Sequence, residues 1–144
     1  MMTRMDNKQM KFHLVTIENL VPEDHFLRKL YRLVDFSFIY EEIEGCYCQN
    51  NGRPCVDPVI LMKYLLIGFL FGIESERRIE QEIQVNMAYR WFLGLDMDER
   101  VPDHSTISQN RRRRFNGTGL FRRLFERILF QCMEKGLVDG RTVL

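Results

Sequence analysis

The sequence predicts an all-α protein, a bundle of about five or six helices that includes one strongly basic helix. Apolar residues recur at the three- and four-residue spacings of a helix in several segments. Hydrophobic residues make up 45% of the 144 residues, enough to build a core, and the 12% of aromatic residues excludes a disordered chain. No segment before the last residues, "RTVL", has a convincing strand pattern.

The first helical region is predicted to begin at Pro22, because proline suits a first helical turn and the two acidic residues after it favour a helix N-terminus. Its apolar pattern starts at Phe26 and continues to Ile43, with a break expected near Asp35. We expect one helical domain at residues 21–136. Residues 1–20 before it resemble a flexible, methionine-rich lead-in.

A second helix is predicted from Asp57 and Pro58, which supply an N-cap acceptor and a proline at the first helical position. The stretch that follows, "VILMKYLLIGFLFGI", is apolar on nearly every side except for Lys63. Since it is shorter than the roughly 20 residues of a membrane span, we expect it to be the central core helix. Gly68 and Gly72 are expected to let a neighbouring helix approach closely.

Further helices are predicted along the second half of the chain. Ser75 is expected to cap the first of them. Its inward face is expected to consist of Ile79, Ile83 and Val85. Trp91 and its apolar neighbours form the next helix and are expected to lie in the core. The last helix ends at Gly136. Its apolar stripe consists of Leu120, Phe121, Leu124, Ile128, Leu129 and Cys132.

Charge is distributed unevenly along the chain, although the formal net charge is only +1. From Arg100 onward, ten lysines and arginines accompany four aspartates and glutamates. This asymmetry suggests a polyanionic partner for the C-terminal third, or else a solvated, salt-bridged helical surface. The start of the chain has no apolar signal-peptide region, which predicts a cytoplasmic protein with reduced thiols.

Three of the four cysteines, Cys46, Cys48 and Cys55, fall in the loop "CYCQNNGRPC". Structural zinc sites favour two pairs of ligands with two to four residues inside each pair, and this loop does not follow that spacing. We therefore expect free thiols and no metal site in this chain.

The stretch "VPDHSTISQNRRRRF" is predicted to form the basic helix, with Asp103 or Ser105 as its cap. At about 100° per residue, Ile107 and Phe115 define its buried stripe. Arg111 falls inside that stripe, about 40° from Ile107. We expect it to have a structural role and to reach a carboxylate, because a buried guanidinium without a partner is very unfavourable.

The opposite side of this helix has the chemistry of a DNA-reading surface. It consists of Ser105, Gln109, Arg112, Arg113 and Asn116. Arginine can donate two hydrogen bonds to guanine, glutamine and asparagine can pair with adenine, and serine can bind phosphate. The helices before it could brace it in a helix-turn-helix-like arrangement, although the connection "GLDMDERVP" is longer than in a strict motif. The alternative is a hydrated arginine surface.

Catalytic motifs are absent from the sequence: it has no phosphate-binding glycine loop, zinc-protease motif or nucleophile elbow. The adjacent Asp103, His104 and Ser105 do not form a catalytic triad, because triad members converge from separate segments. A capping turn explains them better.

Two stretches of the chain carry a family resemblance. "GRPCVDPVILMKYLLIGFLFGIESERRIEQEIQVNMAYRWFLGL" and the later "VPDHSTISQNRRRRF" are similar to the N-terminal domain of bacterial insertion-sequence transposases of the InsH-like, DDE class. The resemblance runs from about Pro22 to the end. It depends on "GRP-x-x-DP", "SER", "YRWFLGL" and "PDHSTIS-x-NRRRRF" in this order.

The resemblance implies a nucleoid-associated domain that recognises terminal inverted repeats in double-stranded DNA during transposition and contributes to a homo-oligomer. In such transposases a ribonuclease-H-like domain follows, whose Asp, Asp, Glu triad binds two divalent metals such as Mg²⁺. Residues 137–144 are then the start of that domain, and this chain is expected to lack the triad and any cofactor of its own. The alternative is a protein-interaction or dimerisation module that uses the aromatic residues of segments 26–38 and 121–130.

Overall fold

The computed structural model describes residues 2, 9–43, 56–115 and 119–138; for residues 113–115 it describes the helical backbone only. The helices in these ranges are α1 (Ile17–Leu20), α2 (Phe26–Leu33), α3 (Phe38–Ile43), α4 (Pro58–Leu70), α5 (Glu76–Val85), α6 (Met87–Leu93), α7 (His104–Phe115) and α8 (Leu120–Glu134). No strand occurs in them, so the all-α class is confirmed. Eight helices replace the expected five or six, because α1 is additional and α3 is separate from α2.

The start of α2 lies at Phe26, so the predicted start at Pro22 is wrong. Pro22 instead begins a turn, closed by a hydrogen bond of 3.1 Å from the His25 N–H to its carbonyl oxygen. His25 is the N-cap, and its Nδ1 accepts the Leu27 N–H at 3.0 Å. Before this turn, within the segment expected to be a lead-in, Thr16 caps α1.

The predicted break near Asp35 separates α2 from α3. The Asp35 carboxylate accepts the N–H and hydroxyl of Ser37 at 2.9 and 2.6 Å, which turns the chain before α3. Gln131 of α8 bonds both backbone groups of Asp35, each at 2.9 Å. The break is therefore fixed against the last helix.

The central helix is α4, as expected. The Asp57 carboxylate accepts the Val59 N–H at 2.8 Å and Pro58 occupies the first position. α4 contacts α3, α5 and α6. Its buried side chains include Leu61, Met62, Lys63, Tyr64, Leu66 and Ile67. No helix among the described residues has the length and apolar character that a membrane crossing requires.

Gly68, within α4, and Gly72, just after its end, have different roles. At Gly68, an added Cβ would lie 2.4 Å from Cδ1 of Ile79, so this glycine permits the close approach of α4 and α5 that the sequence predicts. Gly72 lies after the end of α4 with φ at +68° and open space around it. The expectation of a close approach at Gly72 is wrong, since its role is the left-handed turn.

The inward face of α5 is only partly as expected. The Ser75 hydroxyl caps the helix at the Arg78 N–H, 3.4 Å away, and Ile79 and Ile83 are buried. Val85 is 80% exposed, so its predicted inward orientation is wrong. At about 100° per residue it lies about 240° around the helix from Ile79, on the solvent side.

Helix α8 closes the bundle with the predicted apolar stripe. Leu120, Leu124, Ile128, Leu129 and Cys132 are buried, and Phe121 is half-buried. Burial raises the pKa of the Cys132 thiol to about 11, which keeps it protonated near neutral pH. The helix ends at Glu134, and Gly136 follows in a left-handed conformation with φ at +70°.

Candidate nucleic-acid interface

Helix α7 begins at His104 with two acidic caps. The Asp103 carboxylate accepts the Ser105 N–H at 2.9 Å and its hydroxyl at 3.0 Å, so Asp103 is the acceptor and Ser105 the donor. These bonds hold the pKa of the Asp103 carboxyl below its ordinary value. The second cap is Glu80 of α5, whose Oε1 accepts the His104 N–H at 2.7 Å.

Glu80, Asp103 and His104 also form a group of possible metal ligands within the described residues, with ligand atoms within 4.8 Å of one another. His104 Nδ1 lies 2.9 Å from the Glu80 carboxylate and 3.2 Å from that of Asp103. Both carboxylates already accept backbone N–H groups of the first turn of α7. The arrangement fits a helix cap that joins α5 to α7.

The inner side of α7 holds the helix against the bundle. Ile107 is fully buried, as its place in the predicted stripe requires. Nη1 of Arg111 lies 2.9 Å from Oε1 of Glu76 at the start of α5. Arg111 therefore reaches a carboxylate, and the sequence could not indicate which one. This side of α7 packs against α5 and α8.

The connection before α7 is organised by Arg90, a residue that no sequence pattern marks. Its side chain is buried, and its guanidinium donates to the carbonyl oxygens of Gln84, Asp96 and Glu99 at 3.1, 2.9 and 2.8 Å. These carbonyls belong to the end of α5 and to the loop at residues 94–103. Arg90 thus fixes the path by which the chain enters α7.

The outer side of α7 carries the predicted reading residues that are described. Ser105, Gln109 and Arg112 are all exposed. Nη2 of Arg112 donates to the Ser108 hydroxyl at 3.3 Å, and no carboxylate within the described part of the chain forms an ion pair with it. The side chain of Arg113 and the whole of Asn116 lie outside the described residues.

Helix α8, which contacts α7, adds exposed cations that the sequence analysis did not assign. Arg122 and Arg123 are both exposed. Arg122 pairs with Glu126 one turn later, at 2.9 Å. Arg123 has no carboxylate partner among the residues that the structure describes. An exposed ion pair such as Arg122–Glu126 contributes little to stability, so an external anion can replace Glu126 as the partner of Arg122. Arg123 is accessible to an anion directly.

The remaining candidates are the three loop cysteines and the aromatic residues of the alternative protein interface. Cys46, Cys48 and Cys55 lie outside the described residues. Of the aromatic residues proposed as a protein interface, Phe36 and Phe38 are buried in the core of their own chain. That core excludes them from contact with a partner.

The chain matches a described protein family. A family model described as "Transposase domain (DUF772)" matches residues 15–113, more than half of the chain. The matched region runs from just before α1 into the arginine run of α7. No curated protein and no solved structure matches the chain.

Proposed function

The chain belongs to the transposase-domain family, and on that premise we propose that it is the DNA-binding region of an insertion-sequence transposase of the InsH-like, DDE class. Its task is to recognise the terminal inverted repeats of the element in double-stranded DNA. The proposed reading residues are Ser105, Gln109, Arg112, Arg113 and Asn116. Strand cleavage, with its Asp, Asp, Glu triad and Mg²⁺, is assigned to a catalytic part of the transposase outside this sequence.

One observation carries the proposal: the exposed guanidinium of Arg112 on a helix whose inner side is fixed to the bundle. Arg111 and Ile107 hold that inner side, through Glu76 and the core respectively. Because the helix is held rigidly, its outer side chains can be presented to a major groove, which admits a helix of this width. Gln109 beside Arg112 supplies a group that can pair with adenine.

The electrostatics of the C-terminal third support the same proposal. The excess of cations from Arg100 onward includes exposed Arg112 on α7 and exposed Arg123 on α8. Phosphate contacts by such side chains position a protein on a duplex, and base contacts then specify the sequence. We assign Arg123 to the phosphate backbone, since it lies outside the proposed reading surface.

A fluorescence-anisotropy titration tests the proposal, with a labelled duplex that contains the inverted repeat flanking the coding sequence and a scrambled duplex of equal length. We expect tighter binding to the repeat and a steep fall of affinity between about 50 and 200 mM salt. Arg112→Ala/Arg113→Ala should weaken binding to the repeat by about tenfold or more, since a bidentate base contact contributes about 1–3 kcal/mol.

The matched control is Arg32→Ala/Arg77→Ala, which removes two exposed arginines from α2 and α5. If both double variants lose affinity equally, the effect is one of net charge and the reading surface is wrong. Unchanged binding by Arg112→Ala/Arg113→Ala would reject the proposal.

A second candidate function is a protein-interaction or dimerisation module. Phe130 of α8 is 56% exposed and Met133, close to it on the same helix, is also exposed. This function predicts a concentration-dependent oligomer that Phe130→Ser disrupts and DNA does not affect. Sedimentation equilibrium with and without the duplex separates the two candidates.

A further inference from the structure

The segment before α1 has an unusual pattern of exposed apolar residues. Met10, Phe12 and Leu14 are 88, 96 and 104% exposed, and they alternate with Lys11 and His13. In an extended chain this period of two places the apolar side chains on one side and the basic ones on the other. We refer to residues 9–16 as the arm. Because its apolar side chains stand clear of their own chain, burying them requires another surface.

A groove elsewhere on the fold provides an apolar surface. It lies between the end of α4, the start of α5, and α8, with a volume of about 430 Å³. Its lining includes Leu65, Phe69, Ile79, Phe121 and Phe125. The ring of Phe69 meets that of Phe125 edge to face at 5.7 Å, and Phe121 stacks on Phe125 at 5.9 Å.

The rim of this groove carries three charged residues, Glu74, Glu76 and Arg111, and Glu74 is exposed. Glu76 is paired with Arg111, whereas no cation among the described residues forms an ion pair with Glu74. An apolar floor with one unpaired carboxylate at its rim complements a segment that alternates apolar and basic residues.

We propose that the arm of a second copy of this chain occupies the groove, with Phe12 against the cluster of phenylalanine rings and Lys11 beside Glu74. The distance from Met10 to Leu14 in an extended chain is about 13 Å, and the groove volume is within the range of sites that enclose small ligands. Each copy carries one arm and one groove. An exchange of two arms therefore closes a two-fold dimer, as in domain swapping.

Sedimentation equilibrium without DNA tests the dimer. The unmodified chain should dimerise, and Phe12→Ser should raise the dissociation constant of the dimer by about tenfold or more, as expected for an aromatic anchor in a pocket. Val85→Ser and Phe130→Ser are matched controls, since both remove an exposed apolar side chain outside the arm and the groove. Loss of the dimer with Phe130→Ser and not with Phe12→Ser would overturn the proposal.

A charge exchange tests the register of the arm. Lys11→Glu and Glu74→Lys should each weaken the dimer by about two- to fivefold, the range of an exposed ion pair, and their combination should restore it. Both side chains are exposed, so the monomer should keep its thermal midpoint when measured below the dissociation constant of the dimer. Additive weakening in the combined variant would reject the contact between Lys11 and Glu74.

A photocrosslink identifies the occupant directly. Benzoylphenylalanine in place of Phe12 should crosslink to the α8 peptide that contains Phe121 and Phe125. In a mixture of ¹⁵N-labelled and unlabelled chains, crosslinked pairs that join a labelled chain to an unlabelled one should appear. Crosslinks confined to single chains, or a chain that stays monomeric at all concentrations, would overturn the proposal. Since no DNA is present, the result is independent of the proposed function.

Discussion

The ammonium group of Lys63 donates a hydrogen bond of 3.1 Å to the carbonyl oxygen of Phe92, which joins the central helix α4 to α6. The rings of Tyr31, Phe36 and Phe92 surround it, with centroids 4.8, 5.0 and 4.9 Å from Nζ. Burial lowers the pKa of Lys63 to about 8, and the charge of Asp57 partly opposes this shift. A cation in the core is thus held by ring faces and one carbonyl.

The first prediction concerns the pH dependence of stability in Lys63→Met. Between pH 8 and the ordinary lysine value of 10.5, the unfolded chain binds more protons at Lys63 than the folded chain. The contribution of Lys63 to the free energy of unfolding should therefore rise across this window, by at most about 3 kcal/mol. Lys63→Met should lack this rise. Urea unfolding of both chains at pH 7 and 10.5 measures it.

The quantity to compare is the difference in the free energy of unfolding between the unmodified chain and Lys63→Met. The Cys132 thiol, with its raised pKa, lowers stability as the pH rises above about 9, but it does so in both chains. Its contribution cancels in the difference. Parallel pH profiles of the two chains would contradict the prediction.

The second prediction concerns the contact of α4 with α5. Gly68→Ala should lower the free energy of unfolding by about 1–3 kcal/mol, because the new methyl group would collide with Cδ1 of Ile79. This outcome opposes helix propensity, which favours alanine by up to about 1 kcal/mol. Denaturant unfolding provides the measurement.

Ile79→Val supplies the control for this contact, since valine lacks the Cδ1 atom. Gly68→Ala/Ile79→Val should be more stable than the sum of the single changes predicts. Strict additivity of the two changes would show that the collision is not the cause.

The third prediction concerns Arg90. Arg90→Met leaves three carbonyl oxygens without their charged donor, and it should lower the free energy of unfolding by about 3 kcal/mol. Amide hydrogen exchange should accelerate in the loop at residues 94–103 more than in α4. Arg90→Lys should be intermediate, because an ammonium group cannot span all three acceptors. Unchanged exchange in the loop would reject the role assigned to Arg90.

The fourth prediction separates Arg111 from Arg112. A double-mutant cycle of Arg111→Met and Glu76→Gln should give a coupling energy of about 0.5–1 kcal/mol, since the pair is partly exposed. In the DNA titration, Arg112→Ala should weaken binding to the repeat more than binding to the scrambled duplex, and Arg111→Met should leave both affinities nearly unchanged. Equal effects of the two arginines on this discrimination would contradict the division of roles.

Local signals explain why much of the fold could be predicted. The caps at Asp57 and Ser75 bond N–H groups two and three residues later in the chain, so sequence alone identifies them. Gly68 was recognisable because a glycine inside an apolar helix needs a packing reason. The buried position of Ile107 follows from helical periodicity.

The predictions for Pro22, Val85 and Gly72 are wrong because each residue is compatible with more than one local arrangement. Pro22 is compatible with a helix start, but the ring nitrogen of His25 accepts the Leu27 N–H and caps the helix there. The helix therefore begins at Phe26. The apolar character of Val85 favours an inward position, but its angle on the helix places it on the solvent side. Gly72 continues a helical spacing, yet the helix ends two residues earlier.

The supports of α7 were not predictable, because their partners are distant in sequence. Glu76 and Glu80 are two of several acidic residues on α5, and only the tertiary arrangement brings them to Arg111 and His104. Arg90 bonds backbone carbonyls, which every residue carries and no side-chain pattern reveals. Sequence identified the arginine that needs a carboxylate but not the carboxylate.

The separation between the inner supports of α7 and its outer side has a consequence for engineering. Gln109 and Arg112 could be randomised in a combinatorial library while Arg90, Ile107 and the Arg111–Glu76 pair preserve the scaffold. Under the proposed function, variants selected from such a library would differ in target preference and keep similar thermal stability.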